Sequence, residues 1–167
     1  NLKSELEKLE KFSLLGDMLI GHGSVPQWVK EKYPEFIGEF GHGVGYDIDH
    51  PMARTLWEKT FSEIVPMAKK YPALKTYDIM NEPAWPTANL PWVNKNAALP
   101  TNYTIKKYQS WLDESYSTID ALNESWSSDY KSFDEIQSFQ RDMSNRAAWY
   151  DWCRFNQLRV TDFYRFM

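Results

Sequence analysis

Apolar residues recur along much of the chain at the three- and four-residue spacing of amphipathic helices. In residues 2–15 this stripe consists of Leu2, Leu6, Leu9 and Phe12. A second helix is predicted from Pro51 to about Lys70, and Pro66 is expected to interrupt or kink it because proline lacks an amide hydrogen. The remaining predicted helices cover residues 104–116, a short stretch that follows a cap at 117–120 and ends at Trp126, and residues 145–167.

Two short apolar runs predict strands between these helices. Residues 17–21 have the composition of a buried parallel strand, and residues 74–80 form the second run. The stretch 38–45 holds four glycines and is predicted to be a flexible or tightly turned segment. Alternating helices and strands indicate βα units in an α/β fold with a parallel sheet. A complete eightfold barrel needs roughly 250 residues, so residues 1–167 are predicted to be a segment of a single barrel domain.

Composition and charge exclude several classes of partner. The net charge is −4 and no basic stripe is present, which argues against nucleic acid as a partner. No apolar run approaches the length of a membrane span, so no membrane partner is expected. The chain starts without Met inside a charged helical pattern, and we expect it to be a segment of a larger protein with no signal peptide here. Localisation is left open.

The residues that follow the second strand carry the clearest candidate chemistry. Asn81-Glu82-Pro83 places a carboxylate where a strand ends, the position at which α/β barrels hold their catalytic groups. Trp85 and Trp92 follow at once, and aromatic residues make up 16% of the chain. Flat aromatic faces near an acid suit a sugar ring, although packing in the core also uses many aromatic residues. The competing interpretation of Glu82 is a solvated loop residue.

Other polar and aromatic residues are further candidates for the site. His22 follows the first strand and is a candidate for the pocket, although a histidine beside glycines is as often structural. Trp28 is expected to pack in the core. The histidines and aspartates near the start of the second helix match no compact ligand pattern, and helix capping explains Asp49. No metal site and no cofactor are therefore predicted. The residues rejected as metal ligands are His42, Asp47, Asp49 and His50.

Several of these segments resemble known glycosidases. Asp78-Ile-Met-Asn-Glu-Pro83 resembles the acid/base strand of the clan A retaining glycoside hydrolases. Val25–Glu35 is similar to the Pro-x-Trp-Leu…Pro-Glu segment after the third barrel strand of family 42 β-galactosidases, and Tyr108–Trp126 resembles the segment after their fourth strand. Residues 133–136 and 150–155 match the stretch that follows. Met80 before Asn-Glu and Pro83 after it depart from family 42 and are closer to family 5 glucanases and agarase-like relatives.

The resemblance implies a partial (β/α)8 TIM barrel, approximately strands 3 to 4 with their helices, that hydrolyses O-glycosidic bonds with retention. Such hydrolysis uses two carboxyl groups roughly 5–5.5 Å apart. Glu82 would be the general acid/base, with Asn81 on the sugar 2-hydroxyl and Trp85, Trp92 and His22 as further substrate contacts. The nucleophile would be a Glu on the seventh strand, outside this chain. Three glutamates in helical patterns, Glu114, Glu124 and Glu135, are expected on the outside.

Partners and alternatives follow from the same resemblance. The expected partners are an oligo- or polysaccharide substrate and the remainder of the barrel, and the isolated segment is expected to be inactive. One alternative is a noncatalytic carbohydrate-binding or scaffold protein that retains barrel sequence. A weaker one is a different β/α enzyme in which Glu82 is a general base. A catalytic Glu on a later strand would separate the hydrolase from the binding protein.

Overall fold

The computed structural model describes residues 1–20, 25–41, 44–79, 100–137 and 144–167. The helices are α1 Leu2–Lys11, α2 Gln27–Lys32, α3 Pro51–Ala68, α4 Asn102–Tyr116, α5 Ile119–Trp126 and α6 Arg146–Phe166. The strands are β1 Gly16–Leu19, β2 Ile37–Gly41, β3 Val44–Tyr46 and β4 Leu74–Asp78. Two short 3-10 turns lie at Pro34–Phe36 and Phe133–Glu135. None of the helices in these ranges combines the length and apolarity that a membrane crossing requires.

The two predicted strands pair with each other in parallel. Leu19 of β1 lies opposite Asp78 of β4, and the amide of Ile20 donates to the Asp78 carbonyl at 2.9 Å. The long crossover between them contains α3, as a parallel pair requires. Met18 packs on one side of this sheet against Leu6 of α1 and the end of α3. The pairing confirms the predicted alternation of helices and parallel strands.

One expectation about β1 is wrong. Its composition predicted burial on both faces, yet only Met18 is buried and Leu19 is 51% exposed. The physical reason is that helices cover a single side of the β1–β4 pair in the described chain, while the opposite side has no layer against it. Met18 is buried because it lies on the covered side, and Leu19 is exposed because it lies on the other side.

The glycine-rich stretch was predicted as a turn and is instead a β-hairpin. β2 and β3 pair antiparallel, with Ile37 opposite Tyr46 and Gly41 opposite Val44. Tyr46 and Phe36 beside it are buried, and their rings lie 5.3 Å apart. Glycine has low strand propensity and leaves no side chain to alternate, so the period of two is not visible in the sequence.

The first helix is shorter than its apolar stripe predicted. It ends at Lys11, and Ser13 takes a left-handed conformation with φ 55°. Phe12, predicted to be buried, is 63% exposed, with the Lys11 ammonium 5.5 Å from its ring. Leu6 is the member of the stripe that is buried. The spacing of the stripe was correct, but its last residue lies beyond the helix end.

Pro66 does not interrupt α3, which was one of the two effects expected of it. The helix continues to Ala68, and the Lys69 amide still donates to the Val65 carbonyl at 2.9 Å. Proline removes one amide donor, and here that loss falls in the last turn, where few further helical hydrogen bonds depend on it. Pro51 occupies the first helical position as predicted.

The last three helices form a separate part of the core. Thr118 caps α5 by accepting the Ala121 amide at 3.2 Å, as the sequence predicted for 117–120, and Asn145 caps α6 in the same way. Their buried residues are Tyr108, Leu112, Leu122, Trp126, Ile136, Ala148, Trp152 and Phe155. Helix α6 also reaches the hairpin and the start of α3 through Phe163. Helix α6 therefore joins this helical cluster to the β2–β3 hairpin and to α3.

Candidate functional site

All five predicted site residues lie outside the residues that the structure describes. His22 falls in 21–24, and the other four fall in 80–99. Those four are Asn81, Glu82, Trp85 and Trp92. The described chain supplies the frame from which both segments start and to which they return, and the site is built below from that frame.

Strands β1 and β4 end side by side at the same edge of the sheet. The register of Leu19 with Asp78, and the hydrogen bond from Ile20 to Asp78, bring their carboxyl ends together. His22 follows two residues after Ile20, and Glu82 follows three after Ile79. The segments that carry the candidates therefore leave the sheet at its carboxyl edge, where ligands bind in parallel α/β folds.

The uncovered face of the β1–β4 pair is largely polar. Register places Asp17 beside Thr76 and Leu19 beside Asp78 on the side opposite Met18. The Thr76 hydroxyl donates to the Asp17 carboxylate across the two strands. In a closed barrel the side of a strand opposite the helices is the barrel interior. This face therefore has the orientation of a barrel lining and the composition of one that contacts polar groups.

The described residues on either side of 80–99 make contacts with the hairpin and with the turn that follows it. Ile79, just before it, packs with Phe36, Tyr46 and Ile48 in the hairpin core. Thr101, just after it, donates its hydroxyl to a carboxylate oxygen of Asp47 at 2.5 Å. The same hydroxyl accepts the Thr104 amide at 3.2 Å and so caps α4.

Asp47 and Asp49 form a buried pair of carboxylates at the end of the hairpin. Asp47 is 1% exposed and accepts the Asp49 amide at 2.9 Å, which closes the turn into α3. Asp49 accepts from the Arg159 guanidinium at 2.5 Å and from the Thr104 hydroxyl at 2.8 Å. The Lys107 ammonium lies 3.4 Å from its other oxygen. The pair thus links the hairpin to α4 and α6.

Asp49 is not the helix cap that the sequence predicted. The cap of α3 is His50, whose Nδ1 accepts the Met52 amide at 3.1 Å. Asp49 is drawn instead to the cations of Lys107 and Arg159, because a buried carboxylate gains more from charged partners than from a single amide. A cap was correctly predicted at the start of α3, but it was assigned to Asp49 instead of the adjacent His50.

The two carboxylates have different electrostatic surroundings. Burial raises the pKa of Asp47, and the nearby charge of Asp49 adds to that effect. The hydrogen bonds from Thr101 and from the Asp49 amide, with the more distant Arg159, oppose the rise in pKa. The hydrogen bonds to the Asp47 carboxylate therefore come from neutral donors, whereas Asp49 is paired directly with cations.

His50 is buried between aromatic rings rather than arranged as a ligand. Its ring centroid lies 5.4 Å from that of Phe36 and 4.5 Å from that of Tyr103, and its Nε2 is 3.7 Å from the Glu35 carboxylate. Within the described ranges, no group of three or more His, Cys, Asp or Glu side chains could hold a metal ion. His42, the other histidine of that rejected set, lies outside the described residues.

Trp28 is not a core residue, contrary to the prediction. It is 53% exposed on α2, while the adjacent Val29 is fully buried. A helix of six residues offers little inward-facing surface, and Val29 occupies it. Glu114, Glu124 and Glu135 are exposed, as expected for residues on the outside of helices.

The contacts of Arg159 and Thr101 with the carboxylate pair were missed by the sequence analysis. Arg159 is 110 residues from Asp49, and Thr101 is 54 residues from Asp47. No local spacing reports such contacts. The one available signal was the pair of aspartates itself, two residues apart before a helix.

The comparisons with known proteins all indicate the same family. The family model described as beta-galactosidase, for glycoside hydrolase family 42, matches residues 1–167. The beta-galactosidase BgaB of Geobacillus sp. (strain Y412MC61) is 28% identical over 174 residues, which cover 90% of this chain and 23% of the relative. The beta-galactosidase BbgII of Bifidobacterium bifidum is 28% identical over 133 residues, covering 75% of this chain and 18% of that protein. The chain thus spans less than a quarter of the length of these curated relatives.

Solved structures share the fold. The apo exo-carrageenase of Bacteroides ovatus, a family 42 protein, superposes with a TM-score of 0.77 at 28% identity, covering 97% of this chain and 23% of that one. The beta-galactosidase of Bacillus circulans sp. alkalophilus has a TM-score of 0.77 at 18% identity, covering 99% of this chain and 26% of the other. Nearly the whole arrangement of helices and strands therefore recurs within much longer chains.

Proposed function

Because this chain belongs to family 42 of the glycoside hydrolases, we propose that it forms part of the catalytic barrel of an enzyme that hydrolyses O-glycosidic bonds with retention. Residues 1–167 would be a segment of that single domain, with β1 and β4 as its third and fourth barrel strands. The chain covers 23% of the solved exo-carrageenase. The remaining strands, and the nucleophilic Glu, would be supplied by the rest of the barrel.

The observation that carries the proposal is the parallel pairing of β1 with β4, with one face covered and the other open. Residues 76, 78, 80 and 82 follow one another in steps of two. Thr76 and Asp78 belong to the open face by register. Glu82 has the same sequence parity as Thr76 and Asp78, and this parity supports our proposal that its carboxylate belongs to the barrel interior. This supports Glu82, rather than one of the exposed helical glutamates, as the general acid/base.

The proposed mechanism assigns Glu82 two successive roles. As an acid, it protonates the leaving-group oxygen while the nucleophile attacks the anomeric carbon and forms a glycosyl-enzyme. As a base, it then removes a proton from the water that hydrolyses this intermediate. Glu82 must be protonated for the first step, which burial and the charge of the nucleophile would favour.

The proposed substrate contacts differ in their support. Asn81, directly before the acid, would bond the sugar 2-hydroxyl, and Trp85 and Trp92 would stack on sugar rings. His22 has the parity of Met18 and Ile20, which pack on the covered side of the sheet. It would reach the substrate only if the chain turns after Ile20, so strand geometry supports His22 less than Glu82.

We propose a β-galactoside as the first substrate class to test. The relatives named above are called beta-galactosidases and, in one case, an exo-carrageenase. Those names support a saccharide substrate and give no support to the glucanase-like and agarase-like alternatives that Met80 and Pro83 raised. The proposed partners remain an oligo- or polysaccharide and the rest of the barrel.

The test is the effect of Glu82→Gln in the complete barrel on two leaving groups. Lactose has a poor leaving group that needs protonation, whereas a dinitrophenyl β-galactoside does not. We expect kcat/KM for lactose to fall by about 10²- to 10⁴-fold and to fall much less for the aryl substrate. Glu114→Gln, an exposed glutamate on α4, is the matched control and should change neither.

Equal losses on both substrates would reject Glu82 as the acid/base. Saccharide binding without hydrolysis by the wild-type barrel would favour the noncatalytic alternative. The isolated 167-residue segment is the negative control. We propose that it is inactive because it lacks the nucleophile.

A further inference from the structure

The imidazole of His50 has one ring nitrogen that helix capping does not use. Its Nδ1 accepts the Met52 amide at 3.1 Å and so caps α3, which places the proton of the neutral ring on Nε2. Nε2 is buried and has no hydrogen-bond partner among the described residues. A serine would cap the helix without burying such a donor. Because a buried donor without a partner costs stability, we looked for an acceptor that this N–H could bind.

Two exposed side chains border this nitrogen. The Oε1 atom of Glu35 lies 3.7 Å from Nε2, which is beyond hydrogen-bond distance, and the Glu35 side chain is 56% exposed. The Tyr103 ring packs edge-on against the imidazole with 4.5 Å between the ring centroids, and Tyr103 is 42% exposed. Rotation of these two surface side chains opens Nε2 to a ligand, whereas the inner side of the imidazole is closed by the buried ring of Phe36.

Together the three groups fit one class of ligand. A group that bonds both to the Nε2–H of His50 and to the Glu35 carboxylate must accept one hydrogen bond and donate another, as a hydroxyl does. A carboxylate or phosphate would be repelled by Glu35, and an ammonium ion cannot accept from Nε2–H. The exposed ring of Tyr103 adds a flat apolar surface. A neutral sugar unit offers both the hydroxyls and a C–H face that stacks on such a ring.

Described contacts place this group beside the carboxyl end of β4. The Phe36 ring centroid lies 5.4 Å from that of His50, and Ile79, directly after β4, packs against the apolar core that contains Phe36. Tyr103 belongs to the first turn of α4, the helix that follows β4. In α/β barrels ligands bind at the carboxyl ends of the strands, so the group lies on the side of the sheet where a saccharide is expected.

We propose that Glu35, His50 and Tyr103 form a further saccharide subsite, which binds a neutral sugar unit of a chain longer than a disaccharide. One sugar hydroxyl accepts from Nε2–H of His50 and donates to the Glu35 carboxylate, while the sugar ring stacks on Tyr103. A disaccharide occupies the two positions that flank the scissile bond, so a third position engages longer chains only. The inference rests on the proposed function, in which the substrate is an oligo- or polysaccharide.

The experiment measures the Kd values of two ligands for the complete barrel by isothermal titration calorimetry. The ligands are thio-linked lactose and thio-linked β-1,4-galactotetraose, which are not hydrolysed, so binding is measured independently of catalysis. The variants are His50→Ser, which keeps a cap for α3, and the surface substitutions Glu35→Ala and Tyr103→Ala. In each, we expect the preference for the tetrasaccharide over the disaccharide to fall roughly 3- to 10-fold.

Two controls separate the subsite from general effects on the protein. Tyr103→Phe keeps the ring and should keep most of the preference for the tetrasaccharide. Tyr150→Ala removes a tyrosine of α6 that is 63% exposed and lies outside the proposed subsite, and it should leave the preference unchanged. A loss of folded protein lowers the number of binding sites per chain but not the ratio of the two Kd values.

An unchanged preference in Glu35→Ala and Tyr103→Ala, or an equal loss of affinity for both ligands, would overturn the inference. So would a wild-type barrel that binds the tetrasaccharide no more tightly than the disaccharide. Hydrolysis of lactose and of the aryl galactoside is measured separately on wild type. If both are hydrolysed while the preference does not respond to the variants, the subsite fails and the proposed function stands. If the preference responds while neither is hydrolysed, the subsite stands and the β-galactosidase proposal fails.

Discussion

Asp47 shows how a single buried charge can couple stability to pH. Its carboxylate is 1% exposed, and its hydrogen bonds come from a hydroxyl and a backbone amide. Burial raises its pKa above the ordinary value of 3.8. The folded state therefore holds the proton of Asp47 more tightly than the unfolded state does. The contribution of Asp47 to the free energy of unfolding is therefore most favourable at low pH. It decreases as pH rises from about 3.8 through the raised pKa.

Asp47→Asn tests this coupling. Asparagine cannot ionise, so we expect the free energy of unfolding of the variant to decline less than that of wild type as pH rises from about 3.5 to about 7. Urea unfolding of both proteins across that range is the measurement. The groups that face Asp47, namely Asp49, Arg159 and Thr101, are the same in both proteins. The difference between the two pH profiles therefore reports the titration of Asp47 together with its electrostatic coupling to Asp49. Parallel pH profiles would contradict the raised pKa.

Local capping could be predicted at the residue scale, but the polar network could not. The cap at Thr118 follows from a polar residue just before an apolar helical stretch, which is local information. The assignment of Asp49 as a cap was wrong because its partner Arg159 is 110 residues away. A local sequence pattern indicates only interactions between residues that are close along the chain. The buried carboxylates are hydrogen-bonded to residues that only the fold brings close to them.

At the scale of elements, the three C-terminal helices depend on one apolar cluster. Leu112 of α4 is fully buried in it, beside Leu122 of α5 and Trp152 of α6. The Asp151 carboxylate at its edge accepts from the Trp126 indole at 2.8 Å and from the Tyr116 hydroxyl at 2.6 Å. The contacts between the helices are therefore mainly apolar, with a polar bridge between α4, α5 and α6.

Leu112→Ala should destabilise this cluster strongly. Removing a fully buried leucine side chain costs about 2–5 kcal/mol, because the transfer free energy is lost and a cavity remains. The matched control is Leu158→Ala on α6, where the leucine is 46% exposed and a change of about 0.5 kcal/mol or less is expected. Chemical unfolding of the two variants measures the difference. Similar losses in both would show that α4 does not pack as described.

The strands differ in how well their sequence indicated them. β1 and β4 were found because their central residues are apolar or β-branched and helices flank them. β2 and β3 were not found, because glycines at 38, 41 and 45 erase the alternation that marks a strand. Their pairing is supported by Phe36 and Tyr46 packing in the core, a contact that the sequence pattern does not show.

At the scale of the whole molecule, the open face of the β1–β4 pair is the feature that connects fold to function. Two parallel strands with helices on one side correspond to a portion of a barrel wall, and the structural relatives are about four times longer than this chain. The class of fold could be predicted because βα alternation survives in a segment. The active-site geometry could not, because the proposed catalytic pair requires strands that lie outside these 167 residues.

The central claim is that Glu82 is the acid/base of a retaining glycosidase, and the product formed by Glu82→Ala with added azide tests it most directly. An acid/base variant still forms the glycosyl-enzyme from a dinitrophenyl β-galactoside, and azide, which needs no general base, then attacks it. We predict faster turnover with azide and a β-galactosyl azide identified by NMR. An α-galactosyl azide would identify Glu82 as the nucleophile, and no acceleration by azide would contradict its role as the acid/base.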